Sequence, residues 1–285
     1  MRLLFAIALV WAMAVNVVLA QIQDSTSHRA LDSLFIAEVQ DSEEPDKVLH
    51  AEPLYIDLIR DLGARQGEAE WNIAFDMTDQ LLFDRYHMLV EYEWAPINRL
   101  GLEIEIPITL YSRLPNGRDA LRPSNRVESI KTAIQWSFLV KQRSALSMAM
   151  GYINQLEFSD LDRITSGPIF RGNLFNPFFV VAKRWGDNIH TLLYTGPRMF
   201  LEFRNAAWAS EWEANLSLHY MISGTRNFVG VETNAIVWPH VNAVIRPQMR
   251  LGIAHNLLVG IGVGIPLERN YERFGMFLRL IWEPD

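Results

Sequence analysis

Tyr86-His87-Met88-Leu89-Val90-Glu91-Tyr92-Glu93-Trp94 and, a few residues on, Leu102-Glu103-Ile104-Glu105-Ile106-Pro107-Ile108-Thr109-Leu110 decide how this chain folds. In the first stretch Tyr86, Met88, Val90, Tyr92 and Trp94 share one side of an extended backbone, and His87, Leu89, Glu91 and Glu93 share the other. In the second, Leu102, Ile104, Ile106, Ile108 and Leu110 oppose Glu103, Glu105 and Thr109. Successive side chains of a strand point to opposite faces, so a period of two marks a strand with one apolar face. The pattern recurs outward from there, at 71–77, 129–140, 145–152, 212–222, 229–237, 245–253, 257–265 and 274–282. Less regular stretches at 176–185 and 188–203 also read as strands. Segments of about ten residues are what a tilted strand needs to cross a bilayer.

Alternation alone also fits a soluble sandwich. Three further features favour a membrane barrel. Tight turns at Ala95–Asn98, Lys141–Ser144, Trp185–Asn188 and Ser223–Asn227 alternate with long polar segments at Ser112–Arg126 and Glu157–Phe175, although the alternation fades after Trp238. The non-apolar face is often small, as at Ala145, Ser147, Ala149 and Gly151, or Gly260, Gly262 and Gly264. Tryptophans 71, 94, 185, 212, 238 and 282 fall near strand ends, where interfacial girdles form. The expected fold is all-β: a closed antiparallel up-and-down barrel of about twelve strands, with ten or fourteen also compatible. Closure removes the edges that would expose an open sheet of this size to aggregation.

The N-terminus supplies an address. Arg2 precedes an apolar run from Leu3, and Val18 and Ala20 stand at −3 and −1 of a small-residue cleavage site. This is the layout of a secretory signal over residues 1–20. The 285 residues contain no cysteine, so no disulfide contributes to stability. A net charge of −7 offers no basic footprint for nucleic acid. After the signal no run reaches the ~18 apolar residues of a membrane helix, so insertion must come from strands. An acidic periplasmic lead is expected over 21–66, then the barrel over 67–285. The expected partners are outer-membrane lipid and a small solute; the pattern sets no oligomeric state.

Within the lead stands His50-Ala51-Glu52-Pro53-Leu54-Tyr55-Ile56-Asp57. Pro53 can open a helix and Gly63 can end it, with Leu54, Leu58 and Leu62 at i, i+4, i+8 and Ile59 beside them. The spacing predicts a short amphipathic helix, too short to stand alone, that docks its leucines on the barrel's mouth as a plug. Gly260, Gly262 and Gly264 would leave room for it. The string at 50–57 resembles the signature of the HAEPLYID family of bacterial exported proteins, and that resemblance implies a β-rich, outer-membrane body. It implies no catalytic residues.

Chemistry-bearing residues concentrate on the inner face. Glu91, Glu93, Glu103 and Glu105 are expected there, with a register that sets Glu91 opposite Glu103. Like charges directly opposed are destabilising; Arg85, Arg99, Lys131 or protonation is expected to offset them, and on later strands Arg246, Arg250, Arg273 and Arg279 fall on the same face. They either line water or neutralise one another in a packed lumen. His87, His190 and His219 also face inward, but the His-x-Ser-Asn-Gly string of a lipid-hydrolysing barrel is absent: Tyr220-Met221-Ile222 follows His219. A triad formed only in space stays open. No His or Cys spacing suggests a metal, and no cofactor is expected. The expected function is a pore or transporter-like barrel for small solutes. The alternatives are a non-conducting barrel displaying loops, or a barrel-embedded lipid hydrolase.

Overall fold

The computed structural model describes residues 26–40, 45–56, 58–112, 123–161, 167–270 and 272–284. The signal expected at 1–20, the acidic residues 41–44 and most of the loop expected at Ser112–Arg126 lie outside them. A helix, α1 (Thr26–Val39), comes first. The strands follow as β1 (Ala69–Gln80), β2 (Asp84–Ile97), β3 (Leu100–Tyr111), β4 (Arg126–Val127), β5 (Ser129–Lys141), β6 (Leu146–Phe158) and β7 (Phe170–Trp185). The second half adds β8 (Ile189–Glu202), β9 (Ala207–Met221), β10 (Phe228–Trp238), β11 (Asn242–Ala254), β12 (Leu257–Pro266) and β13 (Glu272–Trp282).

All neighbours are antiparallel. β1 pairs with β2 on one side and with β13 on the other, which closes the sheet. The two-residue β4 and β5 both pair with β3, and together they form one wall position, so the barrel has twelve strands. The strands expected from alternation are present, mostly longer than the pattern showed. β6 and β7 extend into the segment expected as a loop at Glu157–Phe175, and that connection shrinks to 159–169.

The wall is inverted relative to a soluble protein. Trp71, Ile73 and Phe75 face outward at 41%, 50% and 39% exposure, while Asn72 between them is fully buried. Apolar side chains out and polar side chains in is what a bilayer outside and a polar lumen inside require. Trp71, Trp185 and Trp282 stand exposed near the end of the barrel that holds the start of β1, and Trp212 pairs with Trp238 toward the other. These are two aromatic girdles.

The expected helix at 53–63 does not form. Residues 45–56 and 58–67 run as bends and turns through the barrel interior, and the described helix is α1, earlier in the chain. The leucine spacing has another cause: the residues point to opposite walls. Leu54 joins Ala51, Met221, Phe228, Leu258, Phe277 and Ile281 on the β9–β13 side. Leu58, Ile59 and Leu62 join Ala133, Ala149, Phe178 and Val180 on the β5–β8 side. Pro53 is buried with them. A helix would present one apolar stripe, whereas a plug between two curved walls needs two. An extended path supplies both, because its backbone groups find partners on the wall.

Candidate functional site

The site is the lumen, and strand pairing builds it. β2 and β3 set Glu91 opposite Glu105 and Glu93 opposite Glu103. The expected Glu91–Glu103 pairing is therefore corrected by two residues, a shift that keeps every side chain on its face. The four carboxylates are 1%, 6%, 2% and 2% exposed for Glu91, Glu105, Glu93 and Glu103 respectively. Opposed like charges so buried need counter-charges at close range. Lys131 on β5 lies 3.0 Å from Glu103 and 2.6 Å from Glu105. Arg279 on β13 lies 3.1 Å from Glu91 and also donates to Asn72 and to the Leu54 carbonyl.

Further residues complete the cluster, and sequence reading missed them. Arg60 belongs to the plug, and its guanidinium sits 2.7 Å from Glu70 and 3.6 Å from Glu93. Asn72 Nδ2 donates to Glu70, Glu91 and Glu93 at 2.8–3.0 Å. Asn72 and Glu70 carried a legible signal, their inward parity with Glu91 and Glu93. Arg60 carried none, since the segment around it read as a helix whose charges point away from the barrel. Glu91, Glu103 and Glu105 approach closely enough to hold a cation, and Lys131 supplies one there.

Two of the sequence-flagged arginines lie elsewhere on the inner face. Arg246 covers the Tyr55 ring at 3.4 Å and donates to Asn234. Arg250 covers the Phe228 ring at 4.8 Å. The inward charges thus form one acidic cluster with its own cations, and two arginines stacked on rings.

The plug is fastened along its length by side chains from around the wall. His50 Nε2 lies 2.9 Å from Ser147 Oγ, and the Ala51 amide donates to His190 Nδ1 at 2.9 Å. Glu232 accepts from the Tyr55 and Ile56 amides at 3.1 and 2.9 Å. The Gly63 amide donates to Ser137, and Gln135 donates to the Arg60 carbonyl. His219 faces Gln248, and His87 stands 3.8 Å from Glu128. Gly260 meets Leu54 as expected, but Gly262 makes room for Phe277 of the wall, and Gly264 abuts Val244 and Gly275.

At the plug's lower turn, burial pushes the Glu52 carboxyl well above the usual range, reinforced by the charge of Asp61 and a hydrogen bond to it. Burial acts in the same direction on Asp61, but Lys47, Arg60 and the bond from Glu52 outweigh it and hold that carboxylate well below the usual range. The two carboxyls are thus shifted in opposite directions, Glu52 toward its protonated form and Asp61 toward its ionised form. Two cavities remain on either side of the plug. One, of about 570 Å³, lies toward the end of the barrel that holds the start of β1 and the end of β13, and is walled partly by α1. The other, of about 340 Å³, lies over Tyr55 and is lined by Asp76, Arg85, His87 and Glu128.

The HAEPLYID-like family model matches residues 46–283. No curated protein matches the chain. The outer membrane channel COG4313 of Pseudomonas putida F1 is similar in structure at 13% identity and a TM-score of 0.62, covering 80% of this chain and all of that one. The KdgM porin is similar at 14% identity and a TM-score of 0.50, covering 76% of this chain and 99% of its own. At such identities the likeness is one of fold: an outer-membrane, porin-like barrel. With the family pattern running unbroken from the plug into the residues after β13, the chain belongs to the HAEPLYID-like family.

Proposed function

We propose that this barrel is a pore for small solutes whose lumen is stoppered by residues 45–67. The observation that carries the reading is the nature of the stopper's seat. It is held by hydrogen bonds, ion pairs and two apolar patches, no disulfide crosslinks it to the wall that it leads into at β1, and cavities lie on both sides of it. Wall residues such as Glu232, Ser137 and His190 are polar groups that water could satisfy if the segment moved aside. A structural barrel has no need of a replaceable polar filling, since apolar packing in place of buried ion pairs is often as stable. A second reading, a non-conducting barrel that displays loops, draws support from the close pairing of the lumen glutamates.

Planar-bilayer conductance separates the two. A chain lacking residues 21–63 but keeping the signal should conduct markedly more than the full chain. Because the sequence has no cysteine, the double variant Leu54→Cys/Gly260→Cys can pin the plug to β12, where a Gly260 Cβ would lie 3.2 Å from Leu54 Cγ. Oxidation should silence residual conductance and reduction restore it. Equal, negligible conductance from the folded deletion variant and the full chain would favour the loop-displaying barrel.

A further inference from the structure

The cavity of about 570 Å³ below the plug contains a charge that the cluster above it does not explain. Each other cation lining it has a carboxylate at close range. Lys47 lies 2.6 Å from Asp61 and 2.7 Å from Glu68, Arg60 lies 2.7 Å from Glu70, and Arg226 Nη1 lies 2.6 Å from Glu283. Arg250 differs. It is 94% buried, its Nε donates to the Arg226 carbonyl at 3.2 Å, its guanidinium covers the Phe228 ring, and among the described residues no carboxylate pairs with it. A buried guanidinium without a counter-ion is costly, and its planar fork of N–H donors matches a carboxylate.

The surroundings of Arg250 narrow the class of ligand. Leu49, Met221, Leu258 and Ile281 line the same cavity, and the last three belong with Phe228 to a buried apolar cluster. Glu52, Asp61, Glu68 and Glu70 line the same cavity without pairing with Arg250, and they oppose a second negative charge on a ligand. We propose that this chamber binds a small amphipathic monocarboxylate, its head group on the Arg250 fork and its alkyl part on Leu49, Met221, Leu258 and Ile281. A cavity of this size is in the range of small-molecule sites. The site goes beyond the pore reading and stands without it, because binding requires no flux.

The test is equilibrium dialysis of radiolabelled hexanoate against the full mature chain in lipid nanodiscs, with hexanol and inorganic phosphate as comparison probes. Hexanoate should bind saturably to one site, at least about tenfold tighter than either comparison probe, because only it meets both the fork and the apolar wall. Arg250→Gln should weaken hexanoate by about tenfold or more, and Arg250→Lys by less, with folding of each variant checked by its heat-shifted gel migration. Equal binding of hexanol would overturn the role of Arg250, and equal binding of phosphate would overturn the amphipathic ligand. Unchanged affinity in a folded Arg250→Gln protein would overturn the site itself. If that variant does not fold, the three-probe comparison on the unaltered protein decides alone. Since binding is read and not conductance, its failure leaves the pore reading untouched.

Discussion

Lys131 is the residue on which the acidic face of β2 and β3 most depends. Strand pairing forces Glu91 against Glu105 and Glu93 against Glu103, and the Lys131 ammonium bridges the two β3 carboxylates. Lys131→Met should therefore destabilise the barrel by about 3–5 kcal/mol, the usual cost of removing one partner from a buried ion pair. Urea unfolding of the refolded protein would measure it, and Lys131→Arg should recover most of the loss. Glu52 and Asp61 make a different prediction, because their carboxyls are shifted in opposite directions. A raised carboxyl stabilises the docked plug fully below its ordinary range and loses that contribution as pH climbs through the folded value. A lowered one contributes above its ordinary range and is lost as pH falls. Plug docking should thus weaken on the alkaline side through Glu52, which faces Asp61, Glu70 and Arg60, and at strongly acid pH through Asp61. Limited proteolysis across pH would follow the loosening, and Glu52→Gln should remove its alkaline limb.

At the scale of elements, the plug is an extended segment shaped by the wall, and one wall glycine tests this. A Cβ at Gly101 would sit 2.6 Å from Arg60 Cβ and 2.7 Å from the Ile59 carbonyl oxygen. Both are atoms near the backbone and cannot swing away. Gly101→Ala should unseat the plug while β3 keeps its ladder with β2 and β5, giving new protease cuts within 45–67 with the heat-shifted gel migration of the folded barrel retained. Gly260→Ala should act more weakly, since the atoms it meets are the movable methyls of Leu54. An Ala variant at Gly101 with unchanged protection of the plug would contradict this packing. The same geometry explains why helical periodicity misled. Leu54 and Leu58 share a spacing of four, but they belong to apolar clusters on opposite sides of the lumen.

For the whole molecule, the exposed apolar rows of β1, β2, β3 and β13 surround a polar interior and need lipid around them. The protein should float with outer membrane in a density gradient, resist salt extraction and migrate faster in detergent gels when unheated. Recovery in the soluble periplasm would overturn the barrel's placement in a membrane.

Period-two alternation determined which side chains share a face, and so that Glu91, Glu93, Glu103, Glu105, Lys131, Arg246, Arg250 and Arg279 all point inward; the turns, the small inner residues and the tryptophans turned that pattern into a membrane barrel, and the β1–β13 pairing set the count at twelve strands. Alternation could assign faces because strand parity is local, a property of neighbouring residues along one backbone. The tertiary structure alone decided what those residues meet. The two-residue difference in the β2–β3 register, the reach of Arg60 into the acidic cluster and the isolation of Arg250 all depend on contacts between distant parts of the chain. The path of residues 50–63 follows the same logic. A segment that satisfies its amides on Glu232, His190 and Ser137 has no need of its own helical bonds, and nothing in its local sequence says that those partners will be there.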